Sequence, residues 1–347
     1  MGLTILAAVF VFGMLVFVHE LGHFITAKLT GMRVDEFALG FGPKLFSVQR
    51  GETAYSIRAI PLGGFNDIAG MNPEDNKAGD RGYCEKPIPA RMLVILAGSM
   101  MNLILPIFMF AGIFFFAGAS IPSTEPVLGT VMENRPAAEA GLMAGDRIIR
   151  INDTEITSWK NLTTVIQKEG EAGTPLRVVY ERNNERQETS VTPVYDSKAK
   201  RVLLGVMSHV DKTYPGFFES IGMAFERTAY VLGAMMGELM KIFSQPTDAE
   251  LAGPIGVAQM AGEMAQLGIV PLLNFAAFLS LNLGIINLLP VPALDGGHFV
   301  LLILEAVRGK PMGEKALYYT QSVGIALLLI LMLFATKNDI VRIFTGG

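Results

Sequence analysis

Charge is what this chain lacks. Only 17% of its 347 residues are Asp, Glu, Lys or Arg, against 51% that are hydrophobic, where a soluble domain carries about 25% charged residues. With a mean hydropathy of +0.42, this shortage excludes a wholly soluble protein. The single cysteine, Cys84, excludes an internal disulfide, and beside Tyr83 and Glu85 it has no metal-ligand spacing. No basic tract interrupts the chain and the net charge is −4, so nucleic acid is not an expected partner. Histidine is scarce too, with four in the whole chain, which makes their positions informative.

What is present in quantity is long apolar sequence. Residues 3–27, 92–119, 267–289 and 316–335 are each long enough to span hydrocarbon about 30 Å thick. The first has no basic residue ahead of it and no small-residue cleavage site after it, so it reads as a retained transmembrane helix rather than a signal peptide. Residues 217–243 are interrupted by Glu219, Glu226, Arg227, Glu238 and Lys241 and read as an amphipathic helix at the membrane surface. Lys and Arg concentrate between the first and second spans and again at Arg308, Lys310 and Lys315. The positive-inside rule then places those loops in the cytoplasm and both termini outside, together with residues 120–216.

Two stretches between the spans carry strand patterns. Residues 33–39, 44–49 and 53–60 are separated by turn signals, with Pro61-Leu62-Gly63-Gly64 ending the set. Sheet edges cannot face lipid unpaired, so these strands must be buried in protein or line a wet cavity. An unwound substrate could pair with them by strand addition, which makes Gly63 and Gly64 candidate substrate contacts. Residues 72–86, charged and Pro-containing, are expected to be mobile. Residues 126–208 alternate short strands and helices and suffice for a small α+β core of their own. Within them 202–207 reads as a last strand, and Trp159 as a partly buried aromatic. The expected organisation is therefore 1–119, with two spans and the strands; 120–210, the soluble domain; 211–266, the juxtamembrane segment; and 267–347, with two further spans.

The chemistry concentrates in His19-Glu20-Leu21-Gly22-His23, at the end of the first span. Residues four apart share a helix face, so two imidazoles can meet one ion, while Glu20 points about 100° away as a general base should. Ionisable groups at membrane depth are costly and read as functional. A tetrahedral zinc site with two histidines needs a third ligand and an open fourth position. Asp295, in Asn287-Leu-Leu-Pro-Val-Pro-Ala-Leu-Asp295-Gly296, follows an apolar segment broken by two prolines. The count of crossings brings it to the same end of the membrane as His23. His298 would compete with Asp295 and His209 falls outside the membrane part, so neither reads as a ligand. Asn287 is a candidate donor to the substrate backbone or the oxyanion, or a cap for the broken helix. A metal transporter would also bury His and Asp, but it would need ionisable groups along its path, and the second and third spans have few.

These residues resemble the site-2 protease family of intramembrane zinc metalloproteases, in its bacterial regulator-of-sigma-E protease branch. His19–His23 matches the family's HExxH, Asn287–Gly296 its NxxPxPxLDG, and Gly98-Ser-Met-Met-Asn102 its GxxxN. Residues 32–65 resemble the membrane-reentrant β-sheet beside the active site, and residues 126–208 the PDZ domain, present here once. The resemblance implies a mainly α polytopic membrane protein with four transmembrane helices, a reentrant β-sheet and an inserted α+β PDZ domain. It implies zinc on His19, His23 and Asp295, Glu20 as the base, and Asn287 in substrate handling. Gly98 and Asn102 read first as helix-packing residues, with Asn102 a candidate substrate contact, and Leu204-Gly205 is a candidate part of a PDZ peptide groove. The implied activity is regulated intramembrane proteolysis of single-pass membrane proteins, such as anti-sigma factors or signal-peptide remnants, already cut by a site-1 protease. The implied location is the bacterial inner membrane, with the active site open to the cytoplasm.

Overall fold

A computed structural model of the chain describes residues 2–71, 79–170, 173–196, 201–244, 253–310 and 312–345. Two compact units result, one of residues 1–117 with 216–347, the other of residues 118–215.

The first unit opens with α1 (Gly2–Leu29), followed by β1 (Val34–Arg50) and β2 (Thr53–Ile68), and then α2 (Ile88–Ala117). The two strands pair antiparallel but fold back on themselves: Phe37 lies opposite both Tyr55 and Asn66, and Leu39 opposite both Ile57 and Gly64. The sheet therefore has four rungs, in the order 44–50, 53–58, 36–39 and 64–68. Gly63-Gly64 does not end the set, as the turn signal suggests. Gly63, in the left-handed region at φ 86°, turns the chain so that residues 64–68 add a fourth rung. One face of the sheet meets α1, with the Phe37 ring 5.3 Å from Phe24 and 6.1 Å from Phe17. On that face Phe37, Leu39, Phe46, Val48, Tyr55 and Ile57 line an apolar groove of about 470 Å³. The opposite face carries Glu36 with Ser56, Lys44 and Arg58. Desolvation pushes the Glu36 carboxyl up, but the hydrogen bonds from Ser56, Lys44 and Arg58 prevail and hold it at about 2.

Of the stretch expected to be mobile, residues 72–78 lie outside the described residues. The remainder is tied down: Gly79–Arg81 forms a 3₁₀ turn, Arg33 N donates to Arg81 O, and Tyr83 N donates to Ala69 O.

The second unit begins with β3 (Ala119–Pro122), β4 (Leu128–Val131), α3 (Pro136–Glu139), β5 (Arg147–Ile151), β6 (Thr154–Glu155) and α4 (Trp159–Glu169). It continues through β7 (Leu176–Arg182), β8 (Glu185–Val191), β9 (Val194–Asp196), β10 (Arg201–Leu203), β11 (Val206–Ser208) and β12 (Val210–Thr213). A sheet in the order β6-β5-β7-β8 packs with α4 around Leu128, Ile148, Ile151, Leu162, Val178 and Leu204. Trp159 packs partly buried against that core. Residues 202–207 are not one strand: Gly205, at φ 79°, breaks them into β10, paired with β9, and β11, paired with β4.

The chain then returns to the first unit with α5 (Phe217–Ser244), α6 (Pro254–Leu267), α7 (Ile269–Leu288), α8 (Asp295–Arg308) and α9 (Glu314–Thr345). Among the described residues, four helices are long and apolar enough to cross a membrane, within Gly2–Leu29, Ile88–Ala117, Ile269–Leu288 and Lys315–Val341. The protein is a multi-pass membrane protein. Segment α5 packs on α2, and among its described side chains Ser220, Ala224 and Thr228 form a narrow buried stripe.

The organising element is α2. Its buried residues Val94, Gly98, Asn102, Pro106, Met109 and Ile113 form one stripe, and it packs against α1, α5, α7 and α8. Pro106 has no N–H for the carbonyl one turn back. That carbonyl, Asn102 O, instead accepts a hydrogen bond from Ser280 Oγ of α7 at 2.7 Å. Toward one end, Ala7, Val11 and Leu15 of α1 cluster with Met109, Phe110 and Ile113. Toward the other, Ala27 clusters with Val94, Ile95 and Leu302. Between these two apolar layers lies a short polar one.

Candidate metal centre

His19 and His23 lie one turn apart on α1, and Gly22 lets that turn approach α2. A Cβ on Gly22 would run into the backbone of Ala97, and one on Gly98 into the His23 ring. The GxxxN glycine thus leaves room for an imidazole. Asp295 is the first residue of α8. Beyond α7 the chain turns through Pro290 and Pro292, with Ala293 in the left-handed region at φ 72°, and then re-enters a helix. Side chains on Gly296 and Gly297 would strike the carbonyls of Leu288, Leu289 and Val291, so the two glycines allow the turn to fold back on the new helix. A carboxylate in a first helical turn also gains from the helix dipole. The partly buried pair Arg91–Glu305, at 2.6 Å, ties the start of α2 to α8.

The three side chains converge. His19 Nε2 lies 3.2 Å from His23 Nε2 and 3.5 Å from Asp295 Oδ2, and His23 Nε2 lies 3.6 Å from the same oxygen. Donors placed tetrahedrally about 2.0–2.1 Å from a zinc ion would be about 3.3 Å apart, so the set fits zinc. His23 Nδ1 donates to Val94 O at 2.8 Å, which leaves the Nε2 lone pair directed at its neighbours. Among the described residues this is the one cluster of three or more metal-ligating side chains. Exposure of 12% for each imidazole and 17% for the carboxylate leaves room for water and a substrate atom. His298, one turn beyond Asp295, is not part of the cluster, and His209 is exposed beside Asp211.

Each of the three has a partner on α2. Val94 O holds His23, Ser99 Oγ donates to Asp295 Oδ2 at 2.7 Å, and the Asn102 amide lies 3.2 Å from His19 Nδ1. Asn102, expected as a helix-packing residue or a substrate contact, is fully buried with its amide beside His19. Neighbours that hydrogen-bond to a ligand in this way orient it, and their loss costs about 10–100-fold in metal affinity. Asn102→Ala is expected to weaken zinc binding by about that factor, as measured by chelator competition on the full-length protein.

Glu20 stands beside the cluster, and Asn66 Nδ2 donates to its Oε2 and to its backbone carbonyl, both at 2.8 Å. Asn287, in the last turn of α7, is half-buried and makes no hydrogen bond to the cluster among the described residues. Gly64 borders Glu20, while Gly63 packs on Phe41. In the second unit the Leu204 side chain is buried in the core, its carbonyl accepts from Ala137 N, and Gly205 lies against Arg135. Reasoning from sequence missed Ser99 and Asn66. Ser99 is signalled only by its place within the GxxxN stretch, and Asn66 only as an amide on an otherwise apolar strand face.

The profile of peptidase family M50 matches residues 7–331. The chain belongs to peptidase family M50. It is 32% identical over 421 residues to the regulator of sigma-W protease RasP of Bacillus subtilis, covering 98% of this chain and 99% of that one. To the zinc metalloprotease RasP of Bacillus licheniformis it is 33% identical over 421 residues, with coverage of 98% and 99%. Over 24% of its length it is also similar to the PDZ domain of the SdrC-like protein of Listeria innocua, covering 93% of that chain at 25% identity and a TM-score of 0.23. This M50 member is a membrane zinc metalloprotease.

Proposed function

We propose that this M50 protease is an intramembrane endopeptidase that cuts single-pass membrane proteins within or near their transmembrane segment. The observation that carries the reading is a zinc-compatible triad with an adjacent carboxylate, set at one end of a helix long enough to span the bilayer. His19, His23 and Asp295 would hold zinc, which when bound supplies Lewis-acid polarisation of water and of the scissile carbonyl. Glu20 takes a proton from the attacking water and delivers it to the leaving nitrogen. The substrate lies extended beside the sheet, paired through its main chain near Gly63 and Gly64, which gives sequence-tolerant binding. Asn287 donates to the substrate backbone.

Basic loops support an inner-membrane topology with the metal centre open to the cytoplasm and the inserted domain, read as a PDZ domain, outside. The name of the Bacillus subtilis relative, regulator of sigma-W protease, supports an anti-sigma factor as substrate; trimming of that substrate by a site-1 protease would come first. The test is cleavage of a single-pass reporter by the full-length protein in nanodiscs. The expected products carry new ends within or beside the membrane segment, form in the parent protein, vanish on chelation and return with zinc. Cleavage indifferent to chelation would refute the proposal.

A further inference from the structure

We propose that Asn66 is a positioning residue that holds Glu20 in line for proton transfer, so that the sheet aligns the base as well as the substrate; this rests on the reading of Glu20 as the base. Residues 64–68 are the outer rung of the sheet beside residues 36–39, and they touch α1. Gly64 brings the backbone in: a Cβ there would lie 2.9 Å from Glu20 Cγ and 3.0 Å from Val16 Cγ1. Two residues on, Asn66 faces the same helix and reaches both the carbonyl and the carboxylate of Glu20 through one nitrogen.

Both partners are acceptors, so only the amide nitrogen can point that way, and the orientation of the side chain follows. The consequence is visible at the other atom: Asn66 Oδ1 is buried without a hydrogen-bond partner. A buried carbonyl oxygen left unpaired costs stability. An apolar side chain would avoid that cost and pack with the neighbouring Phe37 and Tyr55, which share its face of the sheet. The amide is thus a poor choice for packing and a good one for fixing a carboxylate. A glutamate on a helix has several rotamers, and a donor from outside the helix selects one of them. The rung that carries this donor also includes Gly64, so substrate pairing and base alignment are referenced to the same few residues of backbone.

The experiment compares parent, Asn66→Leu, Asn66→Asp and Glu20→Gln full-length proteins, zinc-loaded in nanodiscs, on a single-pass reporter. Misplacing a reacting group by about 1 Å can cost as much as 10²-fold. Both Asn66 variants are expected to lose at least about tenfold in kcat with KM and zinc content unchanged. Asn66→Asp, nearly isosteric but setting a carboxylate against Glu20, should lose no less than Asn66→Leu. A second readout leaves catalysis out: reporter affinity of Glu20→Gln should not change when Asn66→Leu is added. If Asn66→Leu does not fold, Asn66→Asp decides. The proposal is overturned if kcat stays within about twofold of the parent, if KM rises while kcat holds, or if the added Asn66→Leu weakens reporter binding. Activity surviving in Glu20→Gln overturns the base assignment itself. An inactive Glu20→Gln with Asn66 variants at the parent rate overturns only the role of Asn66.

Discussion

Glu20→Gln is expected to lower reporter cleavage by about 10²–10⁴-fold, the usual contribution of a positioned general base, while zinc remains bound at one per chain. Glutamine keeps the length of the side chain and an oxygen for the Asn66 amide to meet at 2.8 Å, so the rung of residues 64–68 has no reason to move. It removes only the ability to accept a proton. Glu20 lies next to His19 in sequence but outside the ligand cluster, so stoichiometric zinc in the variant separates loss of proton transfer from loss of the metal site. Metal content and single-turnover cleavage, measured on one preparation, make the check. A variant that loses its zinc with its activity would show that Glu20 helps to build the site rather than to run it.

Asp295→Ala should have the opposite profile: activity is lost because the metal is lost. Two imidazoles remain 3.2 Å apart, but the sole anionic member of the cluster is gone, and the Ser99 hydroxyl loses its acceptor. Affinity should fall by more than the roughly 10–100-fold expected for removal of an orienting neighbour. Mass spectrometry of metal content after dialysis against a weak chelator should find about one zinc in the parent and in Glu20→Gln, and close to none in Asp295→Ala. Added zinc should restore little activity to this variant, whereas it should fully restore the chelated parent. Retention of zinc by Asp295→Ala would exclude the carboxylate as a ligand.

How much of this was legible in the sequence depended on the range of each interaction. The spans announce themselves because every residue in a run contributes to transfer into lipid. His19, Glu20 and His23 are legible because helical geometry turns a spacing of four into proximity. Asp295 is legible because a broken apolar segment with a carboxylate in it needs a partner. The contributions of α2 were not legible. Val94 acts through its carbonyl, which any residue possesses; Ser99 is marked only by its place in the GxxxN stretch, and Asn102 reads there as a packing residue or a substrate contact, not as the neighbour of a metal ligand. What they touch is decided by how closely α1 and α8 approach, and Gly22 and Gly98 set that approach without a chemical signature of their own. The fourth rung of the sheet was hidden for a related reason. Gly63-Gly64 is a turn signal, and a turn that ends a sheet looks the same as one that folds the chain back onto it. Gly205 concealed a break in the second unit in the same way, because one left-handed residue changes strand partners while leaving the apolar alternation intact.

The pairing of β3 with β12 bears on the history of the chain. Ala119 and Thr213 are direct cross-strand partners, so the second unit begins and ends at one spot. Every residue of the metal centre, and every neighbour that orients it, falls before or after that spot in sequence. In the connectivity of the first unit, residues 118–215 are a single insertion between α2 and α5, closed by its own two-stranded clasp. Such an insertion can be lengthened, duplicated or exchanged without altering the distance between the histidines and the aspartate. The sequence of residues 118–215 can therefore diversify while the metal centre stays the same.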